Sequence, residues 1–259
     1  MKSVGILILL LLVFAGVAGA QGTVMNWDVN GANREALVFS PTSETEKKHP
    51  LVFAFHGHGG RMRGTAMLMH LQTVWPEAII VYPQGLNTAS HVDPQGLRPG
   101  WQSEAGEDGD RDLKFFDAML SDLEKKYSVD KDRVYATGFS NGAIFSYLLW
   151  AERPNVLAAF GICAGRISDS EQLSKARPVV IVAGESDPIL PFALQKQAIE
   201  SARQVDKATG NGTSCGTGCT EYPSSQNTPV RTYIHPGGHV YPPWAPAAIV
   251  DFFKNHKKP

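Results

Sequence analysis

The pentapeptide Gly138-Phe139-Ser140-Asn141-Gly142 constrains the fold of this 259-residue chain more than any other feature. It follows an apolar, strand-like run at 134–137 and leads directly into a helix-like run at 143–150. Glycines at both ends let the chain turn so sharply that the serine can adopt a strained conformation with its hydroxyl exposed. A G-x-S-x-G match alone is weak, but its position between a strand and a helix is typical of a nucleophile elbow. The sequence therefore predicts Ser140 as a catalytic nucleophile.

A serine nucleophile of this kind needs an acid and a base, which follow it in the order Asp or Glu, then His, each after a later strand. The apolar run 178–183 is interpreted as a buried strand, and Asp187 follows it. We predict Asp187 as the acid, with Glu185 as the alternative. A second strand-like run ends near His235, and Gly237-Gly238 give the following loop the flexibility to reach back over the sheet. We therefore predict His239 rather than His235 as the base.

The oxyanion of the reaction needs hydrogen-bond donors. After an apolar strand the chain continues as His-Gly-His-Gly-Gly at 56–60, a loop that supplies one backbone donor in esterases with this elbow. We assign that donor to the amide of His58, with Gly57 and Gly59 as alternatives. The second donor is the amide of Asn141, the residue after the nucleophile. Each such donor contributes roughly 3 kcal/mol to transition-state stabilisation.

Together these motifs resemble those of secreted α/β-hydrolase esterases, a group that contains extracellular polyhydroxybutyrate depolymerases and family 1 carbohydrate esterases such as feruloyl and acetyl xylan esterases. The similarity extends from about Asn30 to the C-terminus. The matching segments are 55–60, 82–85, 100–101, 127–142, 187–188 and 237–239. The chain departs from the group at His58, where members often carry cysteine or a hydrophobic residue. The backbone amide of residue 58 can donate its hydrogen bond with any of these side chains.

The resemblance implies a serine carboxylic ester hydrolase with a single-domain α/β-hydrolase fold and no cofactor or metal. We expect a feruloyl esterase that releases acyl groups from plant cell-wall polysaccharide, so the substrate partner is a polysaccharide-linked or polymeric ester. A polyhydroxyalkanoate depolymerase or an acetyl xylan esterase is the alternative. Trp101 matches a family position near the acyl site and is predicted to form an aromatic wall for a phenolic acyl group, with surface packing as the alternative. A binding protein on an inactive scaffold is disfavoured because the triad positions are chemically intact.

The first twenty residues indicate the compartment. Lys2, an apolar run at 6–14 and Ala18-Gly19-Ala20 have the pattern of a secretory signal peptide. We predict a signal peptide at 1–20, a catalytic domain at 21–259, and a secreted protein, extracellular or periplasmic, after cleavage near Ala20. The net charge of −1 gives no electrostatic reason to expect nucleic acid or an anionic membrane as a partner. We expect a monomer.

Three cysteines leave one unpaired in an exported chain. We favour a disulfide between Cys215 and Cys219 within a Gly/Thr/Ser/Asn-rich loop at 209–220, and a buried free thiol at Cys163. The acidic run 108–112 begins like a calcium loop but lacks the required glycine and the final glutamate, so it is interpreted as a solvated loop that caps the next helix.

Alternating strand-like and helix-like segments predict one mainly parallel sheet with helices on both faces. We expect strands near residues 51, 78, 133, 158, 178 and 230, preceded by an antiparallel hairpin from Asn30 to Pro41. Apolar residues recur at helical spacing between Asp112 and Tyr127, which predicts a helix with a core-facing stripe.

Overall fold

The computed structural model describes residues 22–41, 47–168 and 172–258. The predicted signal peptide and its cleavage site lie outside these residues. The strands are β1 (Thr23–Val29), β2 (Ala32–Phe39), β3 (His49–Phe55), β4 (Ile79–Pro83), β5 (Leu86–Asn87), β6 (Pro99–Gly100), β7 (Val129–Phe139), β8 (Ala159–Cys163), β9 (Val179–Gly184), β10 (Thr213–Gly216), β11 (Cys219–Tyr222) and β12 (Val230–His235). The α-helices are α1 (Met62–Met69), α2 (Leu71–Val74), α3 (Arg111–Lys126), α4 (Asn141–Glu152), α5 (Phe192–Val205) and α6 (Ala245–Lys254).

Within the described residues, ten strands form one sheet in the order β1-β2-β4-β3-β7-β8-β9-β12-β11-β10. The six central strands, from β4 to β12, pair in parallel, whereas the strands at both edges pair antiparallel. Every residue of β4, β8 and β9 is buried, as expected where helices cover both faces of a parallel sheet. This mainly parallel sheet confirms the predicted α/β-hydrolase fold.

The helices form a layer on each face of the sheet. Residues of α3, α4 and α5 pack into one apolar core, and residues of α1, α2 and α6 pack into the other. Residues 141–150 of α4 are all buried, so this helix faces protein on every side and has no solvated polar face. The helix that follows Ser140 is therefore enclosed by protein and fixed in position.

Two segments differ from the predicted boundaries. The N-terminal hairpin begins at Thr23, because β1 pairs with β2 through a turn at Asn30-Gly31 in which both residues have positive φ (53° and 80°). The predicted range therefore covers only the turn and the second strand.

The segment predicted as a loop at 209–220 contains strand β10 and the start of β11. The disulfide between Cys215 and Cys219 is confirmed, and so is the burial of Cys163.

The acidic run at 108–112 was predicted to be a solvated loop, but its last residue, Asp112, is buried. Asp112 is 1% exposed and accepts a 2.7 Å hydrogen bond from the Arg34 guanidinium, and its other carboxylate oxygen accepts the Gln102 amide at 2.9 Å. A buried charge needs such partners, so Asp112 anchors α3 to β2.

Within residues 22–41, 47–168 and 172–258, no group of three or more His, Cys, Asp or Glu side chains is arranged to hold a metal ion. None of the described helices combines the length and the apolarity needed to cross a bilayer.

Candidate active site

Ser140 lies at the turn between β7 and α4. Its backbone angles are φ 56° and ψ −120°, a region that costs a non-glycine residue on the order of 1–3 kcal/mol. The Ser140 amide donates a 3.0 Å hydrogen bond to the carbonyl of Cys163, which ties the turn to the end of β8. A side chain at Gly142 would collide with the carbonyl oxygen of Phe55, so only glycine lets α4 begin this close to β3.

The structure brings the three predicted triad residues together. The Ser140 hydroxyl lies 2.8 Å from Nε2 of His239, and Nδ1 of His239 lies 2.7 Å from Oδ2 of Asp187. Because a carboxylate can only accept, Nδ1 carries the proton of the neutral ring and Nε2 is the acceptor. This is the tautomer that can take a proton from the serine hydroxyl.

The carboxylate of Asp187 is held from both sides. Its Oδ1 accepts the amides of Ile189 and Leu190, both at 2.9 Å, and its Oδ2 also accepts a 3.0 Å bond from the Gln195 side chain. The Asp187 side chain has no exposed surface. Sequence reasoning missed Gln195, since a glutamine in the first turn of an ordinary helix carries no motif.

The two alternative triad residues lie elsewhere. Glu185 is exposed, and its backbone amide donates to the carbonyl of His235. Nδ1 of His235 accepts the amide of Gly237 at 3.1 Å, so this ring supports the loop that carries His239. Neither side chain hydrogen-bonds to Ser140, His239 or Asp187 within the described part of the chain.

The glycine-rich loop at 56–60 lies beside the nucleophile. A β-carbon built on Gly57 would be 3.4 Å from Cβ of Ser140. Among the described residues, the amides of Gly57, His58 and Asn141 donate to no protein acceptor, so Asn141 and either His58 or its alternative Gly57 are available for an oxyanion. The amide of Gly59 donates to the carbonyl of Pro99 at 2.7 Å, which removes Gly59 from the alternative donors.

His56 fixes the start of this loop as a neutral ring. Its Nδ1 donates to the carbonyl of Gly57 at 2.8 Å, and its Nε2 accepts the amide of Gly85 at 2.9 Å. Burial lowers the pKa of His56 to about 4, well below the ordinary value near 6.5. Protonation of Nε2 would place a donor opposite the Gly85 amide and break the link between the loop and the segment that joins β4 to β5.

We therefore expect His56 to make the protein acid-sensitive. As pH falls from about 6.5 towards 4, His56 becomes protonated in the unfolded chain but stays neutral in the folded chain. The free energy of unfolding therefore decreases over this window, and the contribution of His56 is fully present above it. The shift corresponds to at most about 3 kcal/mol. Chemical denaturation of the wild type and of His56→Gln between pH 4 and 7.5 measures this, and the variant should show the weaker pH dependence. Identical pH slopes would contradict the assignment.

The prediction that Trp101 forms a wall of the acyl pocket is wrong. This residue is 1% exposed, and its indole packs against Phe55, His56 and Phe145 at centroid distances of 5.2, 4.8 and 5.5 Å. Its Nε1 donates to the carbonyl of His56 at 2.9 Å. A ring enclosed in this way cannot contact a substrate. Trp101 instead supports the loop at 56–60 through its hydrogen bond to His56.

Trp101→Ala should therefore damage the fold without selecting between substrates. Removing a fully buried indole costs roughly 3–5 kcal/mol of stability. We expect kcat/KM for methyl ferulate and for an acetyl ester to fall by the same factor, together with a lowered unfolding midpoint in denaturant. A loss confined to methyl ferulate with unchanged stability would restore the indole to the substrate pocket.

Exposed apolar side chains lie in the two loops that carry the acid and the base, and in the loop before β6. Ile189, two residues after the acid, is 50% exposed, and Val240, next to the base, is 48% exposed. Leu97, in the loop that leads to β6, is 67% exposed. Single apolar residues in loops show no periodicity, so sequence reasoning had no signal for them.

Comparison with known proteins agrees with this geometry. The model of the phospholipase/carboxylesterase family matches residues 38–216. Feruloyl esterase C from Emericella nidulans is 29% identical over 256 residues, which covers 91% of this chain and 89% of that protein. Among solved structures, an acetyl xylan esterase from Aspergillus awamori has a TM-score of 0.70 at 15% identity, with 90% of this chain and 99% of that chain covered. A ferulic acid esterase from Anaeromyces mucronatus, in complex with ferulic acid, has a TM-score of 0.62 at 17% identity, with 93% and 92% covered. At such identities the two structures establish the fold alone.

Proposed function

The chain belongs to the phospholipase/carboxylesterase family and is a carboxylic ester hydrolase, and we propose that it is a secreted feruloyl esterase acting on plant cell-wall polysaccharide. One observation carries the proposed chemistry: an unbroken series of hydrogen bonds links Asp187 to His239 and His239 to Ser140. Feruloyl esterase C, similar over 91% of this chain, supports the substrate class. The pattern of residues 1–20 supports secretion after cleavage near Ala20.

The first half of the reaction forms an acyl-enzyme. Ser140 Oγ attacks the ester carbonyl carbon while Nε2 of His239 accepts the hydroxyl proton. The amides of His58 and Asn141 donate to the oxygen of the tetrahedral intermediate, contributing roughly 3 kcal/mol each. When the intermediate collapses, the bond between the acyl carbon and the sugar oxygen breaks, His239 passes its proton to that oxygen to form the sugar hydroxyl, and the acyl group remains on Ser140.

The second half releases the acid. A water molecule attacks the acyl carbon while His239 Nε2 takes its proton, and collapse of the second intermediate returns that proton to Ser140 Oγ. Asp187 keeps the ring of His239 in the reactive tautomer and stabilises the imidazolium that forms within each half of the reaction. No step requires a cofactor.

Methyl ferulate, acetylated xylan and polyhydroxybutyrate, assayed side by side, test the proposed substrate class. We expect the highest kcat/KM on methyl ferulate and release of ferulate from feruloylated arabinoxylan. Ser140→Ala measured in parallel gives the background hydrolysis to subtract. Faster turnover of acetylated xylan would make the protein an acetyl xylan esterase, and faster turnover of polyhydroxybutyrate would make it a depolymerase.

A further inference from the structure

One short segment touches both residues that carry the proposed oxyanion donors. We call residues 99–101 the brace segment. On one side it binds the loop at 56–60: the carbonyl of Pro99 accepts the amide of Gly59 at 2.7 Å, and Nε1 of Trp101 donates to the carbonyl of His56 at 2.9 Å. These two bonds fix the brace segment relative to the residues before and after Gly57 and His58.

On its other side, the brace segment is clamped by the side chain of Asn141. The side-chain oxygen of Asn141 accepts the amide of Trp101 at 2.7 Å, and its side-chain nitrogen donates to the carbonyl of Trp101 at 3.0 Å. Asn141 is 7% exposed, so both bonds are shielded from water. An asparagine that pairs with both polar groups of one backbone residue fixes distance and direction together.

The imidazole of His58 contacts the same segment. Its side chain is 7% exposed, and its Nε2 lies 3.0 Å from a carboxylate oxygen of Asp93, which holds the ring in place. A β-carbon on Gly100 would lie 2.7 Å from Nδ1 of His58 and 3.0 Å from the side-chain oxygen of Asn141. The two side chains therefore meet at the α-carbon of Gly100, which has room for nothing larger than hydrogen.

We propose that the side chains of Asn141 and His58 are positioning residues that set the separation and direction of the two oxyanion amides through the brace segment. The inference rests on the proposed function, since it presupposes that these amides bind an oxyanion. The physical reason is geometric: donors act only within about 2.7–3.1 Å of the developing charge, and an error of about 1 Å can cost a hundredfold in rate. Neither role needs the side chain to touch the substrate.

The test compares an ester with its thionoester, in which sulfur replaces the carbonyl oxygen. Sulfur accepts hydrogen bonds weakly, so a thionoester gains little from an intact oxyanion hole and loses little when the hole is disturbed. Asn141→Ala keeps the backbone amide and removes only the clamp. We expect its kcat on the ester to fall about 10- to 100-fold, with KM changed less than about twofold and kcat on the thionoester lowered less than about threefold.

His58→Ala, which also keeps its amide, is the second variant and should show the same selective loss on the ester. Asn155→Ala, a matched change at an exposed asparagine bonded to Lys175, should leave both substrates unaffected. Circular dichroism shows which of the two variants is folded. In a folded variant, equal losses of kcat on the ester and the thionoester would overturn the positioning role. Unchanged kcat on both substrates would overturn it as well. Failure of the proposed function is distinguishable, because then the wild type would hydrolyse neither substrate or Ser140→Ala would retain activity.

Discussion

Replacing Ser140 or His239 with alanine is expected to lower kcat by between about a thousandfold and a millionfold, and the double replacement should be hardly worse than either alone. The reason is that nucleophile and base act as a unit: without its base the hydroxyl is a weak nucleophile, and without the hydroxyl the base has nothing to activate. The 2.8 Å contact between Ser140 Oγ and His239 Nε2 is the bond that both changes remove.

Steady-state kinetics on an activated ester, with thermal unfolding of each variant as the check on folding, measures this effect. Both side chains are only partly buried and neither belongs to the apolar core, so the unfolding midpoints should stay close to that of the wild type. A single variant that kept a tenth of wild-type kcat would exclude that residue from the proposed role. Multiplicative losses in the double variant would show that the two residues act independently.

Asp187→Asn is expected to lower kcat by about 10⁴-fold while leaving the backbone in place. Oδ1 of Asp187 accepts two backbone amides, so the asparagine must place its oxygen there and its NH₂ group towards His239 and Gln195, which both present donors at this point. His239 can then meet the amide only with Nδ1 as an acceptor. In that tautomer Nε2 carries the proton and cannot take one from Ser140.

Asp117→Asn is the matched control, since Asp117 is 45% exposed and pairs with Arg153 away from the catalytic loops. It should not change kcat. The loss in Asp187→Asn should appear in kcat rather than KM, because orienting the base matters most in the transition state. An effect below about tenfold would mean that Asp187 is not the group that orients His239.

The sequence predicted the catalytic triad best, because each of its residues follows a strand that the sequence also predicts. The elbow, the acid after β9 and the base after β12 each follow a buried strand, and parallel strands bring their carboxyl ends to one edge of the sheet. The elbow motif, the order of acid and base along the chain, and their positions after strands therefore predicted that Ser140, Asp187 and His239 lie within reach of one another.

The errors at Trp101 and Asp112 have a common physical cause, which is that the burial of a single side chain is a tertiary property. Trp101 stands in a polar, glycine-rich stretch that suggests exposure, yet α4 and β3 enclose it. Asp112 resembles a solvated acid until Arg34, distant in sequence, is brought against it by β2. The clamp between Asn141 and Trp101 also joins segments 40 residues apart, so no local pattern could predict it.

Labelling with a fluorophosphonate probe tests the central claim most directly, because this reagent phosphonylates only a serine that its base activates. We predict one equivalent of label per chain, located on Ser140 by mass spectrometry of the tryptic peptides, with loss of esterase activity in step with labelling. His239→Ala should label far more slowly, and Ser140→Ala should not label. Label on another residue, or full inactivation of the esterase without modification of Ser140, would contradict the proposed mechanism.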